Sequence, residues 1–277
     1  MPTTLIDAHQ HYWQIARGDY GWMGPQVEPI RRDYFPADMK PHLDAAGVTR
    51  TVVVQAAPTV AETEFMLGLA DEDNTIAAVV GWVDLHAADA VATLERLARH
   101  PKFRGIRPML QDIEDTFDIL APACIAALER MPALGLSFDA LLQPRHLPVA
   151  AALADRLPDL AIVVDHGAKP FIADGIIEPW ASDIAALARR PNVSCKLSGL
   201  ITEAGAEWSV AMLKPYADHL VKVFGAERLM FGSDWPVLDL TAGYEAWWSA
   251  AHELTSGLSE AGRAAIFGGT AARFYRI

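Results

Sequence analysis

The 277-residue sequence contains only two cysteines, Cys124 and Cys195. They lie far apart and form no Cys-x-x-Cys pair, which excludes a disulfide-stapled scaffold and a cysteine-rich zinc ribbon. We expect both thiols to remain reduced, as is usual in the cytoplasm. Residues 1–4 carry neither the basic stretch nor the apolar stretch of a secretory signal peptide. The sequence therefore favours a cytoplasmic protein.

Basic residues are also scarce, because 23 Lys and Arg stand against 35 Asp and Glu and give a formal net charge of −12. Phosphate backbones are bound by basic faces, so this balance argues against a nucleic-acid partner. No run approaches the ~20 apolar residues that a membrane-spanning helix requires, and we expect no membrane partner. With 52% hydrophobic and 21% charged residues, the composition is that of a globular protein with a large core.

Short apolar, β-branched runs alternate along the chain with longer stretches of helical period. The predicted strands cover residues 5–8, 51–55, 76–82, 105–109, 136–140, 161–165, 193–197 and 229–232. The predicted helices cover residues 36–46, 60–71, 88–100, 119–130, 147–156, 178–189, 208–224, 244–255 and 259–267. Several of these strands are apolar on both faces, which is typical of parallel strands covered on both sides.

Eight βα units predict an α/β fold, a single (β/α)8 TIM barrel, in one domain over residues 1–277. A doubly wound open sheet is the structural alternative, but it more often carries a Gly-rich phosphate loop after its first strand. Here the first strand runs into the segment DAHQH at 7–11 instead. Residues 12–35 form the longest irregular stretch, and we expect them to lie over the mouth of the barrel as a lid or pocket wall.

Residue types that bind metals or transfer protons follow three of the predicted strands. His9 and His11 lie two residues apart at a strand end, so both point to one side and can share a divalent metal. Asp234 follows the eighth strand, where a carboxylate can bind a metal or accept a proton from water, or simply cap a helix. His166 ends the sixth strand and, taken alone, is equally well explained as a structural histidine. Because barrel strands end at one mouth, the four residues together predict an active site.

Seven segments spread over nearly the whole chain match a known pattern. They are IDAHQHYW at 6–13, AAVVGWVD at 77–84, FRGIRPMLQD at 103–112, DHGAKP at 165–170, CKLSGL at 195–200, LMFGSDWPV at 229–237 and GGTAARFY at 268–275. On these segments the sequence resembles the amidohydrolase superfamily. More narrowly, it resembles the amidohydrolase-2 group and its sugar-lactonase branch, which includes the L-fuconolactonases.

The resemblance implies that His9, His11 and His166 match the family's histidines, and that Asp234 matches the eighth-strand aspartate that acts as general base. It also implies a mononuclear site for zinc or another divalent metal on these four residues, and leaves open whether catalysis requires the metal. Many superfamily members bridge two metals with a carboxylated lysine or a glutamate. Lys196, in the seventh-strand segment, is a poor metal ligand while charged, so we do not expect a two-metal site.

The activity implied by the resemblance is the opening of a sugar-acid lactone, of L-fucono or L-galactono type, to the free acid by water that Asp234 activates. The expected partner is thus a small-molecule sugar lactone, and the protein is expected to be a monomer or a homodimer. Polar donors suit hydroxyl and carbonyl oxygens and aromatic faces suit a sugar ring, although core packing explains the tryptophans equally well. The predicted substrate-binding residues are Arg107, Gln111, Gln55, Trp82, Trp235, Trp22, Lys169 and Glu203.

Three other functions remain open on the sequence alone. A zinc-dependent decarboxylase of aromatic acids would use the same barrel, histidine pair and final aspartate. A hydrolase of carboxylated lactones, of the muconolactone or pyrone type, would be expected to place several arginines at the mouth, where Arg107 is the strongest candidate. A barrel that only binds a ligand is disfavoured by the joint presence of the three histidines and Asp234.

Overall fold

A computed structural model describes residues 4–277, and within them eight strands form one parallel sheet in the order β1 to β8. The strands are β1 Ile6–Gln10, β2 Arg50–Val54, β3 Ile76–Gly81, β4 Phe103–Ile106, β5 Ser137–Ala140, β6 Ile162–Val164, β7 Val193–Leu197 and β8 Leu229–Phe231. The first three residues of the predicted domain, and most of the segment tested for a signal peptide, lie outside the described residues.

Helices follow the strands and cover the outside of the sheet. They are α1 Pro36–Ala46, α2 Val60–Glu72, α3 Ala90–Leu97, α4 Pro122–Arg130, α5 Leu147–Arg156, α6 Trp180–Ala188, α7 Leu200–Ala204, α8 Val210–Phe224, α9 Tyr244–Leu254, α10 Glu260–Ala264 and α11 Thr270–Tyr275. Across residues 4–277, none of these helices combines the length and apolarity needed to cross a membrane.

The sheet closes between its first and last strands. Asp234 donates its backbone N–H to the carbonyl of His9 at 2.7 Å, and His11 donates to the carbonyl of Trp235 at 2.8 Å. A parallel bridge also joins Gln10 to Trp235. The predicted TIM barrel is therefore confirmed, and the closing seam runs directly through the segments that carry two of the histidines and Asp234.

Side chains along each strand point alternately into and out of the barrel, and those that point inward form an apolar part and a polar part of its interior. Side chains of the first three strands, with Val163 and Met230, form one apolar cluster that Tyr275 of α11 joins from below. Asp139 of β5 and Lys196 of β7 point into the same interior and are fully buried. A buried charged pair therefore lies beneath the mouth of the barrel.

Three parts of the chain differ clearly from the sequence prediction. The fourth strand is Phe103–Ile106 and not residues 105–109, because Pro108 has no backbone N–H to pair with a neighbouring strand. Residues 200–204 form a short helix that the sequence did not reveal, since they directly follow the glycine that ends the β7 segment. The predicted helix over 259–267 is instead α10, a wider turn at Ala265–Gly269 and α11. Gly268 and Gly269 are poor helix formers, and the backbone leaves helical geometry at Gly268. Residues 12–35, predicted as irregular, contain two 3-10 helices at Ile15–Arg17 and Pro25–Ile30 and a bridge between Trp13 and Tyr34.

Candidate active site

Three imidazoles and one carboxylate converge at the carboxyl end of the barrel. Nε2 of His9 lies 3.2 Å from Nε2 of His11, and Nε2 of His11 lies 3.1 Å from Oδ1 of Asp234. The same carboxylate oxygen lies 3.5 Å from Nε2 of His9 and 3.8 Å from Nε2 of His166. The structure thus brings the four predicted residues together around one point.

Two of these residues have left-handed backbones. His166 has φ of 53° and Asp234 has φ of 63°, in a region that residues other than glycine seldom adopt. Each such residue costs on the order of 1–3 kcal/mol, and strain of this kind concentrates at functional sites. The turn after each strand therefore aims a side chain into the mouth at some cost in stability.

Each imidazole is anchored through Nδ1, so that Nε2 faces the shared point. Nδ1 of His11 lies 2.7 Å from the carbonyl oxygen of Val54, and Nδ1 of His166 lies 2.8 Å from Oγ of Ser198. Nδ1 of His9 lies 3.0 Å from Nζ of Lys196. Hydrogen bonds at the remote ring nitrogen are what orient histidines in metal and catalytic sites.

Glycines allow the strands to approach these rings closely. Gly199 has φ of +65°, and a Cβ there would lie 2.6 Å from Cγ of His166. Gly232 precedes the β8 turn, and a Cβ there would lie 2.6 Å from Cβ of His9. Both distances are shorter than real Cβ contacts allow, so a side chain at either position would displace a histidine.

Burial sets the protonation states of the site. It lowers the pKa of His9 and His11, and it lowers the pKa of His166 to about 4. Burial raises the pKa of Asp234, but the neighbouring His166 and the hydrogen bond with His11 outweigh it and hold that pKa well below its usual range. At neutral pH the site therefore presents neutral imidazoles and an ionised carboxylate, which are the forms that bind a metal.

The hydrogen-bond pattern fits a cation at the shared point. Nδ1 of His11 must donate to the carbonyl oxygen of Val54, because a carbonyl oxygen only accepts. A neutral His11 then turns the lone pair of Nε2 toward Oδ1 of Asp234, 3.1 Å away. Two acceptors this close require a metal or a proton between them. Tetrahedral bonds of about 2.0–2.1 Å place ligand atoms about 3.3 Å apart, which is close to the spacing found here.

Sequence reasoning missed the charged network that lies beneath His9. Nζ of Lys196 lies 2.6 Å from Oδ2 of Asp139 and 2.9 Å from Oδ1 of Asp165. Tyr275 donates its hydroxyl to Oδ2 of Asp139 at 2.6 Å. The alternating residues of β5 and β7 contained a signal, because Asp139 and Lys196 occupy positions that face the interior. Lys196 serves as the cation of this network and does not enter the four-residue site.

A cavity of about 210 Å³ opens above the four residues. Its wall includes His11, His166 and Asp234, while His9 lies fully buried beneath them. Four of the predicted substrate-binding residues also line it: Arg107, Gln111, Trp22 and Lys169. Ala56, Met109, Asp112, Leu141 and Val237 complete the wall and were not singled out from the sequence.

Four predicted substrate-binding residues lie away from this wall in residues 4–277, namely Gln55, Trp82, Trp235 and Glu203. Gln55 donates its amide to the carbonyl oxygen of Arg107 at 2.6 Å, and the Arg107 guanidinium donates to the Gln55 carbonyl oxygen in return. Trp235 packs edge-on against Tyr12 and Tyr34, because the left-handed turn at Asp234 directs the next side chain outward. Trp82 lines the adjoining cavity, and a role of these four residues in substrate binding stays a prediction.

The comparisons with known proteins agree with this geometry. The family model described as "Amidohydrolase" matches residues 6–277. The chain belongs to the amidohydrolase family. Two curated relatives are L-fucono-1,5-lactonases. One, from Burkholderia ambifaria, is 48% identical over 99% of this chain and 96% of its own length. The other, from Burkholderia multivorans, is 38% identical over 100% of this chain and 97% of its own length.

A solved structure supports the same assignment. An amidohydrolase from Burkholderia multivorans, crystallised with bound zinc, is 38% identical and superposes with a TM-score of 0.94. The match covers 99% of both chains. In the present amidohydrolase, the donor set formed by His9, His11, His166 and Asp234 fits a divalent metal, in agreement with the resemblance found in the sequence.

Proposed function

We propose that this amidohydrolase is a lactonase that opens a sugar-acid lactone of the L-fucono-1,5-lactone type to the free hydroxy acid. The observation that carries the proposal is the convergence of the Asp234 carboxylate with Nε2 of His9, His11 and His166, within 3.1 to 3.8 Å, at the floor of a small cavity. Relatives that are 48% and 38% identical over the whole chain are L-fucono-1,5-lactonases, which favours this substrate class.

Asp234 is the proposed general base. As water attacks the lactone carbonyl carbon, one water proton passes to the Asp234 carboxylate and a new C–O bond forms. The bond between that carbon and the ring oxygen then breaks, and Asp234 returns the proton to the departing alkoxide. General base catalysis of this kind contributes typically about 10²–10⁴-fold. The low pKa of Asp234 keeps the carboxylate ionised throughout the neutral range. A proton that it accepts in the transition state is held only weakly, which favours its return to the departing alkoxide.

The proposed metal ligands are His9, His11, His166 and Asp234, and we propose zinc as the metal. The chemistry that a divalent metal supplies in such a site is Lewis-acid polarisation of a carbonyl oxygen. The hydrogen bonds at Nδ1 hold the three imidazoles in place with or without a bound metal. The site therefore needs no rearrangement before the substrate binds.

The wall of the cavity suits a polar ring with few charges. Arg107 already donates to the Gln55 carbonyl oxygen, and its Nη1 lies 3.6 Å from Oδ2 of Asp165. Its positive charge is therefore partly balanced within the protein, which leaves Lys169 as the freer cation of the wall. Gln111 and Trp22 supply an amide and an aromatic edge. Hydroxyl groups fit this wall better than several carboxylates would.

The test is a substrate panel followed as acid release. It includes L-fucono- and L-galactonolactones, a muconolactone, a pyrone dicarboxylate and an aromatic carboxylic acid, each assayed before and after chelation and after addition of zinc. We expect rapid hydrolysis of the sugar lactones. Turnover of the carboxylated lactones alone, or release of CO₂ from the aromatic acid alone, would replace the proposal with one of those two functions.

Asp234→Asn is the matched variant for this assay. Asn tolerates a left-handed backbone, so the variant should fold, while its amide cannot accept the proton. We expect kcat to fall by about 10²–10⁴-fold. A folded Asp234→Asn protein with unchanged kcat would remove Asp234 as the base. A folded, metal-replete wild-type protein that turns over no compound of the panel would favour a barrel whose role is binding.

We also propose several broader properties of the protein. A cytoplasmic location, a role in carbohydrate catabolism, and a monomeric or homodimeric state are carried over as predictions of the sequence. The single domain over residues 1–277 is proposed in the same sense. Size-exclusion chromatography with light scattering would separate the monomer from the homodimer.

A further inference from the structure

A second cavity lies beside the active-site cavity and shares Trp22, Met109 and Asp112 with it. Its volume is about 440 Å³. Within the described chain, residues 4–277, the ionic side chains of its wall are Asp19, Asp84, Asp112 and Asp118, with no lysine or arginine among them. The rest of the wall is mainly apolar. Asp19 is paired with Arg17 at 2.6 Å, and the remaining carboxylates give the cavity a negative potential, which attracts cations.

Three side chains of different ligand types meet in the wall of this cavity. Nε2 of His86 lies 3.0 Å from Oδ2 of Asp118 and 3.4 Å from Sγ of Cys124. All three atoms lie within 4.8 Å of one another. His86 belongs to the loop after β3, Asp118 to the turn before α4, and Cys124 to α4 itself. Separate segments of the chain thus bring a nitrogen, an oxygen and a sulfur to one point.

We propose that His86, Asp118 and Cys124 form a second metal site, which takes a borderline-soft divalent cation such as Zn²⁺. Imidazole nitrogen, carboxylate oxygen and thiolate sulfur are the protein ligands of zinc, with bonds of about 2.0–2.3 Å. The spacing found here is close to that of a tetrahedral site. The thiolate disfavours Mg²⁺ and Ca²⁺, which prefer oxygen ligands.

The groups around His86, Asp118 and Cys124 favour a bound cation over a simple hydrogen bond between His86 and Asp118. Asp84 accepts a hydrogen bond from the backbone N–H of His86 at 2.9 Å, which fixes the loop that carries the imidazole. Asp84 and Asp118 both bring negative charge to Cys124. Because the three ligands all line the cavity, a fourth coordination position would face it and be open to water or a small molecule.

Binding of the cation releases the thiol proton of Cys124. Burial raises the pKa of the Cys124 thiol to about 11, so the metal-free thiol is protonated. On binding, the S–H bond breaks, its proton goes to water, and the sulfur forms a bond to the cation with no change in oxidation state. The proposed site, with its thiolate ligand, differs from the four-residue site at the barrel mouth, which contains no cysteine.

Cobalt substitution tests the proposal with a signal specific to this site. Co²⁺ bound to a thiolate gives a charge-transfer band in the near ultraviolet, and the chain has only Cys124 and Cys195 to supply one. We expect titration of the metal-free protein with Co²⁺ to give a saturable band, and excess Zn²⁺ to abolish it. The band should persist in His11→Gln, in which the active-site ligands are disrupted.

Matched variants decide the assignment. The band should disappear in Cys124→Ser and persist in Cys195→Ser, since Cys195 is buried in β7 and its Sγ contacts the carbonyl oxygen of Lys196. His86 is exposed enough for His86→Gln to fold, and the Co²⁺ concentration at half-saturation should rise by roughly tenfold or more in that variant. A protein that shows no band, or a band that neither Cys124→Ser nor His86→Gln changes, would overturn the proposal.

Discussion

Nζ of Lys196 lies 3.0 Å from Nδ1 of His9, and both side chains are fully buried. An ammonium group only donates hydrogen bonds, so Lys196 favours the tautomer of His9 in which Nδ1 accepts. The Arg107 guanidinium, whose Nη1 lies 3.3 Å from Nε2 of His9, favours the opposite tautomer, and Oδ1 of Asp165, 3.4 Å from Nδ1, can accept the Nδ1 proton. The lone pair of Nε2, which faces Nε2 of His11 at 3.2 Å, is then free to bind a metal.

Replacing this ammonium should destabilise the protein strongly. Lys196→Met would leave the carboxylate of Asp139 buried without its cation, and that of Asp165 with only Arg107, whose Nη1 lies 3.6 Å from Oδ2. Loss of one partner from a buried ion pair typically costs about 3–5 kcal/mol. We expect a decrease of this order in the free energy of unfolding, measured by urea denaturation.

Two further variants identify the cause. Lys214→Met removes an exposed helix pair with Asp218 and should cost no more than about 0.5 kcal/mol. The double variant Lys196→Met/Asp139→Asn should recover part of the loss, because one unpaired carboxylate is neutralised. A Lys196→Met protein as stable as wild type would mean that the buried carboxylates are protonated or hydrated.

Gly199 offers a way to move His166 without replacing it. In Gly199→Ala, the new Cβ would meet the His166 ring, as its 2.6 Å distance to Cγ shows, and the ring would shift from its bond with Ser198. Misplacement of a reacting group by about 1 Å can cost on the order of 10²-fold in rate. We expect a loss of this size in kcat/KM for the most rapidly hydrolysed lactone.

Gly18→Ala is the matched control for backbone strain. Gly18 has φ of 75° and ψ of 5°, close to the 65° and −7° of Gly199, and no atom of the described residues lies within 4 Å of the position of its Cβ. Backbone strain should cost each variant about 1 kcal/mol or more, Gly199→Ala should lose further stability through the His166 contact, and Gly18→Ala should keep its activity. Equal losses of kcat/KM in the two variants would show that backbone strain, and not the His166 contact, is responsible.

The sequence predicted the barrel and the meeting of His9, His11, His166 and Asp234 because both depend on position along strands. Strand ends of a parallel barrel share one mouth, so residue type and spacing were sufficient. The directions of Gln55 and Trp235 were not accessible in this way. They depend on the exchange of hydrogen bonds between Gln55 and Arg107 and on the left-handed turn at Asp234, which arise only from the folded surroundings.

Acid sensitivity provides a test of the buried histidines. Burial lowers the pKa of His166 from 6.5 to about 4, so His166 stays neutral until the pH approaches that value. The kcat/KM of the lactonase should therefore remain level through pH 6.5 and decline only near pH 4, provided that circular dichroism shows a folded protein at each pH. A decline centred near pH 6.5 would mean that the histidine is hydrated and titrates like a free one.

Glu62 of α2 should make the protein less stable as the pH rises. Its carboxylate is fully buried and accepts hydrogen bonds from the backbone N–H groups of Ala56 and Ala57, near the cavity wall. Burial raises its pKa from 4.5 to about 7, although those hydrogen bonds lower it. In the folded state the proton is therefore retained up to about pH 7, while the unfolded chain releases it near pH 4.5.

The contribution of Glu62 to the free energy of unfolding falls as the pH rises, because the folded chain binds more protons than the unfolded chain. The stabilising contribution of Glu62 is fully present below pH 4.5 and is lost as the pH rises through about 7, amounting to roughly 3 kcal/mol at one pKa unit per 1.36 kcal/mol. His166 acts in the opposite direction over pH 4 to 6.5, so the total pH dependence does not isolate Glu62. The difference between wild type and Glu62→Gln does, because the amide is neutral like the protonated carboxyl group and still accepts a backbone hydrogen bond.

Glu62→Gln should therefore lie within about 1 kcal/mol of wild type in urea denaturation at pH 5 and exceed it by more at pH 8. Glu64→Gln, on the same helix, is the control, since Glu64 is about half exposed and pairs with Arg96 at the surface. Its effect should be small at both pH values. If Glu62→Gln is instead the less stable protein at pH 8, the hydrogen bonds from Ala56 and Ala57 to the ionised carboxylate outweigh the cost of burying its charge. Glu62 would then hold the loop before α2 as an anion, and the free energy of burial would have to be offset elsewhere in the barrel.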